Sequence, residues 1–168
     1  MHTKLHHINL KEHYQFVTFR TYESVDEYVK NIQNSTDTEK KKQYKIDRYL
    51  DNSQNGAYFY EDAIDIMIDT VLAEDENMYD VEIMSIMPNH VHILLKQYRD
   101  LDKIMQYIKG KSAVELNKYL NKDGKFWASG YFDKAIRDDE HFVTVYNYIK
   151  NNALKAGLTD ERVFSKYE

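Results

Sequence analysis

The chain's one proline, Pro88, stands with Asn89 between two apolar runs, Tyr79–Met87 and Val91–Lys96. Proline presets the first central position of a tight turn and asparagine tolerates the second, so the two runs read as strands of a hairpin. Around this hairpin the rest of the chain must be arranged. Residues 14–21 (YQFVTFRT) alternate apolar and polar side chains and are rich in β-branched and aromatic types, which predicts another strand. From Glu61 the positions Ile64, Ile68, Val71 and Leu72 recur at helical spacing, and Ile104, Ile108, Leu116 and Leu120 mark a second helix closed by Asp123-Gly124. Residues 126–137 read as extended, and Glu140–Ala153 as a final helix. Residues 24–51 are charged and weakly periodic, predicting one or two surface helices broken near 34–37. Asn55-Gly56 is a turn signal.

The order is strand, helix, strand, strand, helix, strand, helix. It fits an α+β domain of the split βαβ kind, one antiparallel sheet with helices on one face. Five glycines and one proline in 168 residues leave no room for a flexible linker, so a single domain over 1–168 is expected, with 24–51 as a helical insertion. With no cysteine, disulfide scaffolds, thiolate metal sites and cysteine nucleophiles are excluded. No apolar run approaches the roughly 20 residues that cross a bilayer, and the first thirteen residues lack the apolar core of a signal peptide. The expected location is the cytoplasm, with no membrane partner.

Net charge is −5, but it is unevenly spread: residues 1–95 carry −8 and residues 96–155 carry +4. Screening confines each charge to about 8–10 Å, so a basic second half permits a polyanion partner on an acidic molecule. Solvated helix faces account for the same lysines equally well.

Two features carry chemistry. On a strand, His90 and His92 point to one face while Val91 points to the other, and two neutral imidazoles side by side make part of a metal site. With seven histidines in the chain, chance yields about 0.3 such pairs, so the pair alone does not establish a site; two ligands are also too few, and a third has to come from elsewhere. On the final helix Tyr148 and Asn152 are four apart and share a face with Lys155. Asn152 offers an amide oxygen to a hard cation. Tyr148 offers a phenol that, with a reference pKa of about 10, needs help to act as a nucleophile. Tyr146 is a rival on another side of the helix, and half-buried packing is the competing explanation for either tyrosine.

These residues also carry a resemblance. MPNHVHILL resembles the signature of the HUH endonucleases, specifically the REP-associated single-tyrosine transposases. YQFVTFRTY is similar to that family's first strand, and LDKIMQYIKGKSAVELNKYL to its lysine-bearing helix. FWASGYFDKAIRDDEHF resembles its Trp-to-Ile-Arg-Asp strand and turn, and YIKNNALKAGL its tyrosine helix. The likeness runs collinearly over about residues 14–158. It departs at Ala153, where the family pattern has proline and where alanine lets a helix continue, and at 24–51, which has no family counterpart.

The resemblance implies a ferredoxin-like, HUH endonuclease-like fold. It implies that His90, His92 and Asn152 hold a divalent metal, Mg²⁺ or Mn²⁺, and that Tyr148 cuts single-stranded DNA near a hairpin through a 5′-phosphotyrosine intermediate. Lys109, Lys111, Lys134, Arg137, Lys150 and Lys155 then become candidate phosphate contacts, and Trp127 a base-stacking platform. Lys155 is also a candidate for lowering the pKa of Tyr148. Two other functions remain open: a domesticated hairpin-DNA binder that does not cut, and a small-molecule metal hydrolase. A monomer and a homodimer with exchanged tyrosine helices are both compatible.

Overall fold

A computed structural model describes residues 13–168; the reading of the N-terminus as leaderless falls on residues outside this range. The described residues form five strands, β1 (Tyr14–Arg20), β2 (Tyr79–Ile86), β3 (His90–Gln97), β4 (Phe132–Ala135) and β5 (Val163–Ser165). They pair antiparallel in the order β4-β1-β3-β2-β5. The helices are α1 (Glu27–Gln33), α2 (Glu39–Leu50), α3 (Asp62–Leu72), α4 (Leu101–Leu120) and α5 (Asp139–Lys155). The α+β antiparallel architecture is therefore the expected one. No helix of the described residues is long and apolar enough to cross a membrane.

Strand alternation divides the core in two. Val17, Phe19, Val91, Ile93 and Leu95 face α3 and α4 in the larger cluster, while Phe16 and Leu94 face the other way, against Val145 and Ile149 of α5. The expectation that all helices share one face is corrected here: α5 covers the face opposite α3 and α4. A bulge between Val81 and Ile83 helps, since an extra residue reverses the alternation. Val81 and Met84 thus join the larger cluster, and Ile83 faces α5.

Helix starts follow the sequence. Asp26, Thr38 and Asp138 each accept a hydrogen bond from the third following backbone N–H, the side-chain capping expected of these residues. The break read near 34–37 separates α1 from α2, which pack on each other through Val29, Ile46 and Leu50. Helix α4 ends earlier than Asp123-Gly124, because Asn121 takes the left-handed conformation (φ 53°) that asparagine tolerates at a helix end. Only four residues of the extended stretch 126–137 enter the sheet as β4. Strand β5 is too short to leave a periodic signal and is missed by the sequence reading. Helix α5 runs through Ala153 to Lys155, as the absence of proline there predicts.

Candidate metal centre and nucleophile

His90 and His92 stand on the α5 face of β3, both fully buried. Their rings lie 4.9 Å apart, centroid to centroid. Cross-strand register sets Arg20 and Thr18 of β1 opposite them, and Thr18 Oγ1 lies 2.7 Å from His92 Nδ1. His90 Nδ1 lies 2.8 Å from Asn89 Oδ1. The orientation of that amide is fixed, because Asn89 Nδ2 donates to the carbonyls of Leu50, Ser53 and Asn55. Asn89 Oδ1 must then accept, so His90 carries its proton on Nδ1 and presents a bare Nε2. A partner on one ring nitrogen that frees the other is the arrangement metal-bound histidines use.

The Nε2 atoms of both histidines and Oδ1 of Asn152 are buried with no hydrogen-bond partner. Buried polar atoms are rarely left so, and each costs about 1–3 kcal/mol. Orphaned nitrogen and oxygen acceptors are what an absent divalent ion would satisfy, so the donor set fits one. Burial, with His92 and Arg20 adding to it, holds the His90 pKa well below its usual value. Burial and then Arg20 push His92 down to about 3. Both rings are therefore neutral at physiological pH, as ligation requires.

Tyr148 of α5 reaches the same place from its own chain. Its ring packs edge-on against His92, with centroids 5.4 Å apart, and against Phe16 at 6.0 Å. Its hydroxyl donates to Asp47 Oδ2 at 3.0 Å. Asp47 Oδ1 accepts from Gln43 Nε2 at 2.9 Å, and Gln43 Oε1 accepts from Arg20 Nη2 at 3.3 Å. Burial, then the Asp47 carboxylate, raise the Tyr148 pKa, while Asn152 works in the opposite direction. Lys155 is exposed on the last turn of α5, and the groups acting most strongly on Tyr148 are Asp47, Asp51 and Asn152. Tyr146 points elsewhere, toward Ser165 and Glu168.

Asp47 was missed from sequence. It lies in the segment read as a surface insertion, yet it is 5% exposed, and burial pushes its pKa up to about 7 against the pull of Arg20. Donor atoms of Asp47, His90 and His92 all lie within 4.8 Å of one another. Its neighbour one turn on, Asp51, places Oδ1 3.8 Å from His90 Nε2. An acidic pair four apart was the only available signal, and it reads equally as a solvated helix face.

The candidate DNA contacts are scattered. Trp127 is 6% exposed, donates from Nε1 to Ser112 Oγ at 2.9 Å, and packs on Phe19, Phe59 and Phe126. It is a core residue, which corrects its reading as a stacking platform. Lys109 is half-buried and donates to the carbonyls of Ala128 and Gly130 at 2.8 and 2.6 Å; burial and Arg20 lower its pKa to about 8. Lys111 lies 3.7 Å from Glu115, and Lys150 3.0 Å from Glu168. Arg137 is exposed. Lys134 lines a cleft of about 440 Å³ together with Arg20, Lys40, Lys42 and Gln43, so this cleft reaches the residues that hold Asp47.

The antiparallel sheet thus presents paired histidines to a tyrosine-bearing helix, and comparisons with known proteins place the chain in a family. Residues 53–152 match the family model "Transposase IS200 like", and the chain belongs to this transposase family. Its fold is similar to a REP-associated tyrosine transposase solved bound to a REP hairpin (TM-score 0.51, 16% identity, covering 90% of this chain and 72% of that one). It is also similar to a Deinococcus radiodurans R1 protein assigned as a transposase (TM-score 0.50, 13% identity, 84% and 92% covered). No curated protein matches the sequence.

Proposed function

We propose that the protein is a metal-dependent nickase and strand transferase acting on single-stranded DNA beside a hairpin, with Tyr148 as nucleophile. The observation that carries the reading is the packing of the Tyr148 ring on His92 within one chain, in a member of a transposase family. His90, His92 and Asn152 would hold Mg²⁺ or Mn²⁺, which when bound supplies Lewis-acid polarisation of the scissile phosphate. The chain's own part begins with position. Asp47 accepts the phenolic hydrogen bond, and Phe16 and His92 fix the ring, so the nucleophile is preorganised. The Tyr148 oxygen bonds to phosphorus as the phosphorus–O3′ bond breaks. The phenol gives up its proton and the departing 3′ oxygen ends as a hydroxyl. The 5′-phosphotyrosine ester conserves the energy of the broken bond, so another 3′-hydroxyl can reverse the attack and join new ends without ATP.

Residues 1–168 serve as one catalytic unit in this reading, with 24–51 as a helical insertion and the cytoplasm as the place of action. Lys111, Lys134, Arg137, Lys150 and Lys155 contribute phosphate contacts, and Lys40 and Lys42 extend the basic lining of the cleft next to Lys134. Lys109 shapes the Ala128–Gly130 loop beneath it.

The test is a labelled single-stranded hairpin oligonucleotide mixed with the protein and Mn²⁺. A covalent adduct is expected on a denaturing gel, absent with EDTA and absent in Tyr148→Phe. An adduct that persists in Tyr148→Phe overturns the choice of nucleophile. Salt-sensitive hairpin binding that survives EDTA and yields no adduct identifies a domesticated binder instead. Salt-insensitive binding would point to a small-molecule metal hydrolase.

A further inference from the structure

The donors assigned so far leave an electrostatic problem. His90, His92 and Asn152 are all neutral ligands, and both rings are fully buried. The nearest cation, Arg20, already acts unfavourably on both histidines. A doubly charged ion in such a place is poorly compensated, because a buried charge needs an opposite charge beside it. The structure holds such charge within reach: Asp47 on α2 and Asp51 just past its end.

We propose that Asp47 is a carboxylate ligand of the ion held by His90 and His92, so that α2 completes the metal centre. The inference rests on the reading of His90 and His92 as ligands and adds to it a residue outside the stretch 53–152 that matches the transposase family. Three observations support it. Among the described residues, Asp47, His90 and His92 form the group of three whose donor atoms lie within 4.8 Å of one another. The Nε2 atoms facing this gap have no partner. Asp51 follows Asp47 by one helical turn, and its Oδ1 is likewise buried without a hydrogen bond, 3.8 Å from His90 Nε2. Two carboxylates one turn apart repel each other, and a divalent ion beside both would relieve that repulsion.

Each oxygen of Asp47 takes one hydrogen bond, from Gln43 and from Tyr148. A carboxylate oxygen has a second lone pair, so ligation does not require either bond to break. Asp47 then acts as a positioning residue as well: the group that carries the phenol also touches the ion, which ties the place of the nucleophile to metal occupancy. Two imidazoles and one carboxylate suit Mn²⁺ better than Mg²⁺, which prefers an all-oxygen shell.

The experiment is calorimetric titration of the full chain with Mn²⁺ in the absence of DNA, comparing wild type with Asp47→Asn, Asp47→Ser and His92→Ala. The Asn change keeps shape while removing charge, and the Ser change covers the case in which Asn fails to fold, with circular dichroism checking each. Mn²⁺ affinity falling tenfold or more in the Asp47 variants, alongside loss of binding in His92→Ala, is the expected result. Unchanged affinity in folded Asp47 variants with binding lost in His92→Ala overturns the role of Asp47 and leaves the histidine reading intact. Unchanged affinity in all three overturns both.

Discussion

A single buried carboxyl carries much of the behaviour of this site. Without metal, burial raises the Asp47 pKa to about 7, whereas an unfolded aspartate titrates near 3.9. The folded state therefore binds more protons between these values, and metal-free stability contributed by this group falls as pH rises from about 4 through 7. A cation offsets that loss by taking the place of the proton. The gap in Tm between Mn²⁺-loaded and EDTA-treated protein should widen from pH 5.5 to pH 8, and should widen less in Asp47→Asn, where Asp51, raised to about 6 by burial, still titrates; differential scanning calorimetry reads it. Trp127 gives a second test at this scale. As a buried side chain wedged among Phe19, Phe59 and Phe126, its replacement by alanine should cost about 3–5 kcal/mol in urea unfolding. Hairpin-DNA affinity at a temperature where the variant is folded should change little, unlike loss of a stacking platform. His90 and His92 were legible as a same-face pair from the strand period, and Tyr148 with Asn152 from the helix period, but preferring Tyr148 to Tyr146 rested on the family resemblance. Asp47 was not, because only the docking of α2 on the sheet brings it to the histidines. Trp127 was ambiguous, since a core indole and a stacking indole have the same letter.

The elements were easier to read than the residues. Periodicity located β1, α3 and α4, two apolar runs around the Pro88-Asn89 joint located β2 and β3, and α5 was read as helical as well. Failures fell where length or tertiary placement decides: β5 has three residues, and no pattern within α5 says which side of the sheet it covers. Its continuity is itself testable. Proline at position 153, as in the family pattern, would lose a backbone donor and crowd the preceding turn within a helix that runs to Lys155. Ala153 is also fully buried. Ala153→Pro should therefore destabilise the protein by about 3 kcal/mol or more, measured by chemical denaturation, and should lower Mn²⁺ affinity by disturbing Asn152 beside it.

At the scale of the whole molecule, Tyr148 packs on His92 of its own chain, so the proposed site draws on no second copy. An equimolar mixture of His92→Ala and Tyr148→Phe proteins should stay inactive in the adduct assay, whereas exchange of tyrosine helices between subunits would restore about a quarter to a half of the activity. The clasp made by Asn89 bears on how such a centre comes apart. One amide grips the last residue of α2 and the turn after it through three carbonyls while its oxygen aims the His90 imidazole. Prising the helical pair off the sheet would thus unfasten the ring proposed to meet the cation, making this segment a mechanical partner of the proposed chemistry.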